Sequence, residues 1–362
     1  MKIQANIALA PFTTFKIGGK AKYFCEVKDQ FDALEAFEFA QNKDLPVLLL
    51  GGGSNLLISD SGFNGLVIKV KNLGVEVLSE NQNTVLLRVA SGEIWDKVVE
   101  FAVKNKWWGI ENLSHIPGSA GAIAVQNVGA YGQEAKNVIE SVTVFDSQTH
   151  QILNLSNGDC NFAYRSSLFN TGAKGRYIIF YITFKLSKIP GPVLTYRDLA
   201  QKFGGQNPDL KQIREAVIEI RDKKFPFPKK AKNGNAGSFF KNPVLNAAEY
   251  QKLKNRVAGA FGQSARDALE AKKFSENGQI KIPAAFLMDI CGLKDMRLGG
   301  AAINHNQPLV IINQTGKASA LDVLNLAAVV LKTIKNKYGL ALNSEPELVG
   351  FEKRELSAIL KI

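Results

Sequence analysis

Apolar and polar positions alternate along the first 70 residues in a strand–helix–strand–turn–strand rhythm. Residues 23–27 read as a strand. Asp29 is placed to cap a helix on which Phe31, Leu34, Phe37 and Phe39 recur at helical spacing. The run 46–50 predicts a short buried strand that enters Gly51-Gly52-Gly53-Ser54-Asn55 directly, and 66–70 predicts a further strand. From 72 to 188 the pattern is mostly β, with strands expected at 84–90, 138–146, 151–155 and 177–186. One helix, 94–106, interrupts them and carries Trp95, Val98, Val99, Ala102 and Val103 on its apolar side. Ile189-Pro190-Gly191-Pro192 breaks the run. Beyond it the pattern is α+β, with helices at 210–223, 247–258, 283–291 and 318–338. Pro283 suits a first helical position and Gly339 a helix end. Short strands at 310–312 and 348–351 are expected to share a small sheet. The whole is an α+β chain with domains at 1–71, 72–208 and 209–362.

Composition narrows the class. A chain of 362 residues with 46% apolar and 22% charged positions is of globular type and too long for one core. No apolar run approaches the roughly 20 residues of a membrane helix, and the first residues lack the apolar stretch of a secretory signal. Cys25, Cys160 and Cys291 are far apart and read as reduced cytosolic thiols; His115, His150 and His305 have no metal-ligand spacing. A net charge of +12 could serve nucleic acid or small anions. The densest basic stretch (Lys223, Lys224, Lys229, Lys230, Lys232) stands just before a glycine-rich serine loop, with no nucleic-acid motif and no interleaved aromatics. A phosphate-gathering rim fits that position better than a solvated charge run.

Three small-residue segments carry the candidate chemistry. A strand leading into consecutive glycines can turn successive N–H groups toward a diphosphate. The dinucleotide fingerprint fails, however, since Leu56 stands at its sixth position, and no P-loop lysine is present; a tight structural turn is the competing reading. The stretch 116–132 has almost no bulk, so its backbone can pack against a flat ring system or line a pyrophosphate channel, although a tightly packed loop would look the same. In Gly234-Asn235-Ala236-Gly237-Ser238-Phe239-Phe240-Lys241-Asn242-Pro243, a single hydroxyl is bracketed by glycines and followed by two phenylalanines that can shield it from water. With no histidine nearby in sequence, it suits a proton donor better than an acyl-transfer nucleophile.

These segments resemble the UDP-N-acetylenolpyruvoylglucosamine reductases. Thr14-Phe15-Lys16-Ile17-Gly18-Gly19, Tyr164-Arg165-Ser166-Ser167 and Glu345-Pro346-Glu347-Leu348 complete the set, in the family's order, from about Phe12 to Gly350. The resemblance implies two N-terminal subdomains of the vanillyl-alcohol oxidase type that cradle FAD, and a C-terminal substrate domain. The FAD contacts carried over are Gly51, Gly52, Gly53, Ser54 and Asn55 in the first loop. In the second they are Ile116, Pro117, Gly118, Ser119, Gly121, Ala122, Ala124, Gln126, Asn127, Gly129, Ala130, Tyr131 and Gly132. Because Ser54 and Asn55 stand where some members of the wider group tether flavin through histidine, the FAD is expected to be non-covalent. Leu194-Thr195-Tyr196-Arg197-Asp198-Leu199 resembles the loop of the longer subtype, whose tyrosine folds over substrate.

The implied reaction is a hydride relay from NADPH through FAD to the enolpyruvyl ether of UDP-N-acetylglucosamine. Arg165 matches the arginine that stabilises the enolate, Ser238 the proton donor, and Glu347, with Glu345 as rival, the catalytic glutamate. Tyr164, Tyr196, Lys224, Asn242 and Gln307 match substrate contacts, and Lys223 competes with Lys224 for phosphate. The chain departs from the pattern at Phe274, where a second tyrosine is usual, and at Asn304-His305-Asn306. The expectation is a monomeric cytoplasmic enzyme of peptidoglycan synthesis, with neither metal, nucleic acid nor membrane insertion. The competing reading is another FAD-dependent oxidase of the same superfamily.

Overall fold

A computed structural model describes residues 1–224, 233–276 and 278–360. Lys229, Lys230 and Lys232 of the basic stretch lie outside them. The chain divides into two compact units, one formed by Met1–Ile7, Ala21–Gly53 and Phe63–Lys230, the other by Ala8–Lys20, Ser54–Gly62 and Ala231–Ile362.

The first unit begins with a four-stranded sheet ordered Gln4–Ala8, Lys20–Val27, Phe63–Val70, Val47–Leu50. The last three strands pair in parallel, which requires a crossover. The helix Gln30–Asn42 supplies it, started by the Asp29 carboxylate accepting from the Phe31 and Asp32 N–H groups at 3.0 and 2.9 Å. Leu34, Phe37 and Phe39 pack against the core, as their spacing predicts, and Phe31 does not. Ala33, Ala36 and Ala40 face the core and Phe31 is 72% exposed. Small residues at this stripe let the helix lie close to Cys25, Val27, Leu66 and Ile68.

A five-stranded antiparallel sheet follows, ordered Gln151–Ser156, Ile139–Asp146, Tyr177–Ser187, Thr84–Ala90, Val75–Glu80. Its central strand is covered on both faces. Ile178 and Phe180 enter the core of the parallel sheet, while Ile179, Ile182, Phe184 and Leu186 enter a second core. The change from odd to even positions on one face follows from an irregularity in pairing at Thr143 and Val144, because one extra residue reverses the alternation. The helix Trp95–Lys104 closes the second core through Trp95, Val98, Val99 and Ala102, as its pattern predicts. Leu210–Lys224 also belongs to this unit.

In the second unit, Gly234–Ser238, Val310–Asn313, Ala301–Ile303 and Arg297–Leu298 form an antiparallel sheet in that order. The helix Ala320–Tyr338 presents Val323, Leu324, Ala327, Val330 and Ile334 to the core, begins at a Ser319 capping box and ends at Gly339 with φ 67°. The helix expected at 247–258 continues through Ala247–Lys272, broken at Gly262, whose φ of 83° and ψ of 175° are non-helical. The expected sheet joining 310–312 to 348–351 does not form. Glu347–Val349 pairs in parallel with Leu56–Ile58 instead. Among the described residues, no helix is long and apolar enough to cross a membrane.

Candidate functional site

In the first unit the two glycine-rich segments meet. A Cβ on Gly51 would lie 2.7 Å from Ser119 Oγ, and one on Gly52 would lie 2.4 Å from Gly118 Cα. Only glycines admit this approach. Gly53 and Gly118 hold φ of 63° and 128°, conformations that also favour glycine. The N–H groups of Gly52, Gly53, Gly118 and Ser119 donate to no protein acceptor among the described residues. Backbone donors converging without side chains suit a diphosphate, so this unit fits the FAD that the sequence implies. The stretch 116–132 is not bare loop throughout, since Ala120–Val125 is a short helix with Ser119 at its N-cap.

Lys69 was not singled out from sequence. Its ammonium donates to the Gly51 carbonyl, and burial holds it at about 8, well below the usual lysine range. A lysine ending the apolar run Leu66-Val67-Ile68 was the available signal.

The two later parts of the second segment support different neighbours. Asn127, at φ 42°, donates to the Ala163 carbonyl at 3.0 Å and so holds the turn in which Ala163 and Ser166 exchange backbone hydrogen bonds. Arg165 sits in that turn at φ 54°, an uncommon conformation for a long side chain. Its guanidinium donates to the Gly129 carbonyl at 3.1 Å and lies 5.4 Å from the Tyr164 ring centroid. Arg165, Tyr164, Asn127 and Gly129 are thus brought together.

Tyr131, at φ 48°, meets Tyr196 edge to face with ring centroids 5.1 Å apart. Lys224 Nζ lies 5.4 Å from the Tyr131 centroid and 2.6 Å from Asp198 Oδ2. Lys223 is 72% exposed and paired with Glu219, so Lys224 is the lysine that faces the tyrosines. Burial pushes the Tyr196 phenol up, against the pull of Lys224, which leaves it a neutral donor. Tyr196 is the N-cap of the helix Arg197–Phe203. Asp198, two residues on, is an unforeseen member of the cluster. His115 is structural, with Nε2 2.9 Å from Asp222.

Ser238, Asn55, Glu345 and Glu347 belong to the second unit. Ser238 ends the strand Gly234–Ser238, whose pairing with Val310–Asn313 is irregular between Asn235 and Ser238. Gly237 turns there at φ 73°, its N–H donating to Asn235 Oδ1 at 2.9 Å. Phe239 and Phe240 are buried in the core and meet at 5.3 Å, anchoring the residue beside them. The Phe239 carbonyl accepts from Glu345 N at 2.9 Å, the Glu345 carbonyl from Asn55 Nδ2 at 3.1 Å, and the Asn55 carbonyl from Glu347 N at 2.9 Å. One hydrogen-bonded framework therefore carries the serine loop, the asparagine of the glycine loop and both glutamates.

The remaining candidates are placed less directly. Asn242 Oδ1 accepts from Ala284 N at 2.9 Å and caps the helix Ala284–Ile290. Gln307 lies in the turn before Val310, where Asn304 Oδ1 accepts its N–H at 2.9 Å. Phe274, 45% exposed, pairs with Lys281 in a separate three-stranded sheet. Among the described residues no cluster of His, Cys, Asp and Glu could hold a metal.

Residues 21–156 match a family model described as an FAD binding domain. Residues 228–349 match that of the UDP-N-acetylenolpyruvoylglucosamine reductase C-terminal domain. A UDP-N-acetylenolpyruvoylglucosamine reductase of Neisseria gonorrhoeae is 38% identical over 349 residues, 95% of this chain and 96% of the relative. The enzyme of that name from Pseudomonas fluorescens is 35% identical over 96% of this chain and 99% of its own. The crystal structure of the reductase from Thermus caldophilus superposes with a TM-score of 0.67 at 23% identity, covering 96% and 99% of the two chains, a likeness of fold. The expected joining of an FAD-binding fold to a C-terminal α+β domain is borne out.

Proposed function

The chain belongs to the UDP-N-acetylenolpyruvoylglucosamine reductase family, and on that premise we propose that it reduces the enolpyruvyl ether of UDP-N-acetylglucosamine to UDP-N-acetylmuramate with NADPH. The backbone of Gly51, Gly52, Gly53, Gly118 and Ser119 would hold FAD non-covalently, and the bound flavin would supply two-electron hydride chemistry between NADPH and the vinyl CH2 of the substrate. The chain's own residues manage charge and proton. The substrate carbon bearing the carboxylate gains an electron pair, and the resulting enolate needs cationic donors. Arg165 suits this because a guanidinium remains charged and meets a carboxylate through two parallel N–H groups. Ser238 gives its proton to that carbon, and the alkoxide left behind recovers one from solvent, so that substrate, NADPH and one proton become product and NADP+. Glu347, held in the same framework as the serine loop, supports that proton delivery.

Tyr196 and Lys224 are assigned to the nucleotide diphosphate, a role that a neutral phenol and a partly buried ammonium 2.6 Å from Asp198 can fill by exchanging partners. Tyr164, Asn242 and Gln307 complete the substrate set in this reading. A monomer working in the cytoplasm is part of this reading, and the buried thiols of Cys25 and Cys160, both pushed up to about 12, stay protonated there.

The observation that carries the reading is the framework from Phe239 through Glu345 and Asn55 to Glu347, because its hydrogen bonds tie the loop that bears Ser238 to the segment that bears both glutamates. The test separates two half-reactions by anaerobic stopped-flow absorbance of the flavin. In Ser238→Ala, NADPH should reduce the flavin at the wild-type rate. Reoxidation by the enolpyruvyl substrate should slow by about 10⁴-fold, the upper end for general acid catalysis. Equal slowing of both steps would make Ser238 a residue that shapes the pocket, and an unchanged reoxidation rate would move the acid elsewhere.

A further inference from the structure

The segment that leads to Tyr196 is nearly untethered. Across residues 190–195 a single hydrogen bond is made among the described residues, by the Val193 carbonyl. Its donor is Asn112 Nδ2 at 2.8 Å. The same amide nitrogen donates to the Tyr131 carbonyl at 2.7 Å. Asn112 is fully buried, and its Oδ1 has no partner among the described residues. Turning the amide over would satisfy nothing, because both neighbours are acceptors. The side chain keeps a buried oxygen unpaired so that its two N–H bonds can clamp two carbonyls from separate segments. Buried polar groups are rarely left so without a reason.

The clamp is itself held. Asn112 N donates to Gln133 Oε1 at 2.9 Å, Gln133 Nε2 donates to Glu111 Oε1 at 2.7 Å, and Glu111 Oε2 accepts from Gly109 N at 2.7 Å. On the far side, a Cβ at Gly132 would lie 3.1 Å from Val193 Cγ1 and 3.2 Å from Thr195 Oγ1, so the arm rests against bare backbone. Of the two residues that Asn112 joins, Tyr131 carries the ring that meets Tyr196, and Val193 lies three positions before Tyr196 in the arm.

We infer that Asn112 is the positioning residue for the tyrosine arm, fixing 190–195 against the Tyr131 carbonyl so that the Tyr196 phenol is presented to the nucleotide diphosphate. This rests on the proposed function. Asn112 touches neither substrate nor flavin in this scheme; it acts through Val193 and Tyr131.

The experiment is a double-mutant cycle on the holoenzyme. Asn112→Ser removes the clamp, and Asn112→Asp keeps the shape while turning a carboxylate toward two carbonyls; either suffices if the other fails to fold. Both should raise KM for the enolpyruvyl nucleotide sugar tenfold or more, while NADPH reduces the flavin within twofold of the wild-type rate. In the Tyr196→Phe background the same substitutions should raise KM by less than threefold, because the group they position is gone. Equal effects in the two backgrounds, or slowing of flavin reduction to match, would make Asn112 a general structural residue and overturn the inference. An effect of Tyr196→Phe with none from either Asn112 variant would overturn it alone. An unchanged KM in Tyr196→Phe would sink the substrate assignment of Tyr196 and this inference with it.

Discussion

Gly52→Ala adds one methyl group and should cost the protein most of its affinity for FAD. The new Cβ would sit 2.4 Å from Gly118 Cα, 2.7 Å from its carbonyl carbon and 2.8 Å from Ser119 N. All three are backbone atoms, so no side chain can swing aside. Ordinary carbon contacts lie near 3.5–4.0 Å, and the segments would have to part by about 1 Å. Neither yields easily. Gly118 O accepts from Trp95 N at 3.1 Å, Ala120 N donates to Glu93 O at 2.8 Å, and on the opposite side Lys69 binds the Gly51 carbonyl. Overpacking costs about 1–3 kcal/mol, and with both sides pinned the value should be near 3. If the diphosphate needs the N–H groups of both segments together, that cost appears in binding as about a hundredfold loss of affinity.

Titration of apoprotein with FAD, followed by quenching of flavin fluorescence, measures it directly. Gly172→Ala is the control, since a Cβ there meets nothing within 4 Å, and it should bind FAD as the wild type does. Affinity in Gly52→Ala within threefold of wild type, with an unchanged melting temperature, would show that the approach of the two segments does not make the FAD site.

The two lysines should separate cleanly. Lys224→Ala should raise substrate KM by about tenfold or more, the worth of one charge-assisted hydrogen bond, whereas Lys223→Ala, paired with Glu219 at 72% exposure, should stay within twofold; steady-state kinetics of both variants would reject the assignment if their order reversed. Glu111 is fully buried, and burial pushes its carboxyl above the usual range despite the N–H groups of Gly109 and Gln133. The folded protein therefore binds this proton more tightly than the unfolded chain. Its contribution to stability is greatest below the unfolded value near 4.3 and declines as pH rises through the higher folded value. Glu111→Gln should accordingly gain on the wild type in melting temperature between pH 4 and pH 7, and a constant difference across that range would remove the effect.

What the residue pattern reveals and what it hides follow from range. Asp29 and Gly339 are legible because caps are local chemistry, and the observed helices begin and end beside them. The glycines at 51–53 and 118 are legible because only a missing Cβ allows their approach. On the Gln30–Asn42 helix the pattern reveals Leu34, Phe37 and Phe39, which pack on the core, but hides the more deeply buried Ala33, Ala36 and Ala40, because phenylalanine outweighs alanine in an apolar pattern although close packing against a sheet favours the small residue. The pairing of Glu347–Val349 with Leu56–Ile58 leaves no periodic trace, as a period of two reports which face is apolar and not which strand lies alongside. Asn112, Lys69 and Asp198 escaped for a related reason, being single polar residues whose meaning lies wholly in their partners.

The Thr14–Gly19 motif shows how such partners give a family signature a structural meaning. Nothing in its composition suggests chemistry, yet Asn235 N donates to the Thr14 carbonyl at 3.1 Å and Thr14 Oγ1 donates to the Asn235 carbonyl at 2.7 Å. A Cβ on Gly234 would lie 2.1 Å from the Phe15 carbonyl oxygen, and Phe15 itself is fully buried in the core that holds Phe239 and Phe240. The segment is a brace. It fixes the start of the serine loop while the two phenylalanines fix its end, so Asn235 to Ser238 span a gap closed at both sides. In the proposed mechanism this bracing matters, because a weak acid such as serine can deliver a proton only if its position is set before the basic carbon appears. Residues 221 positions apart in sequence thus answer the same requirement.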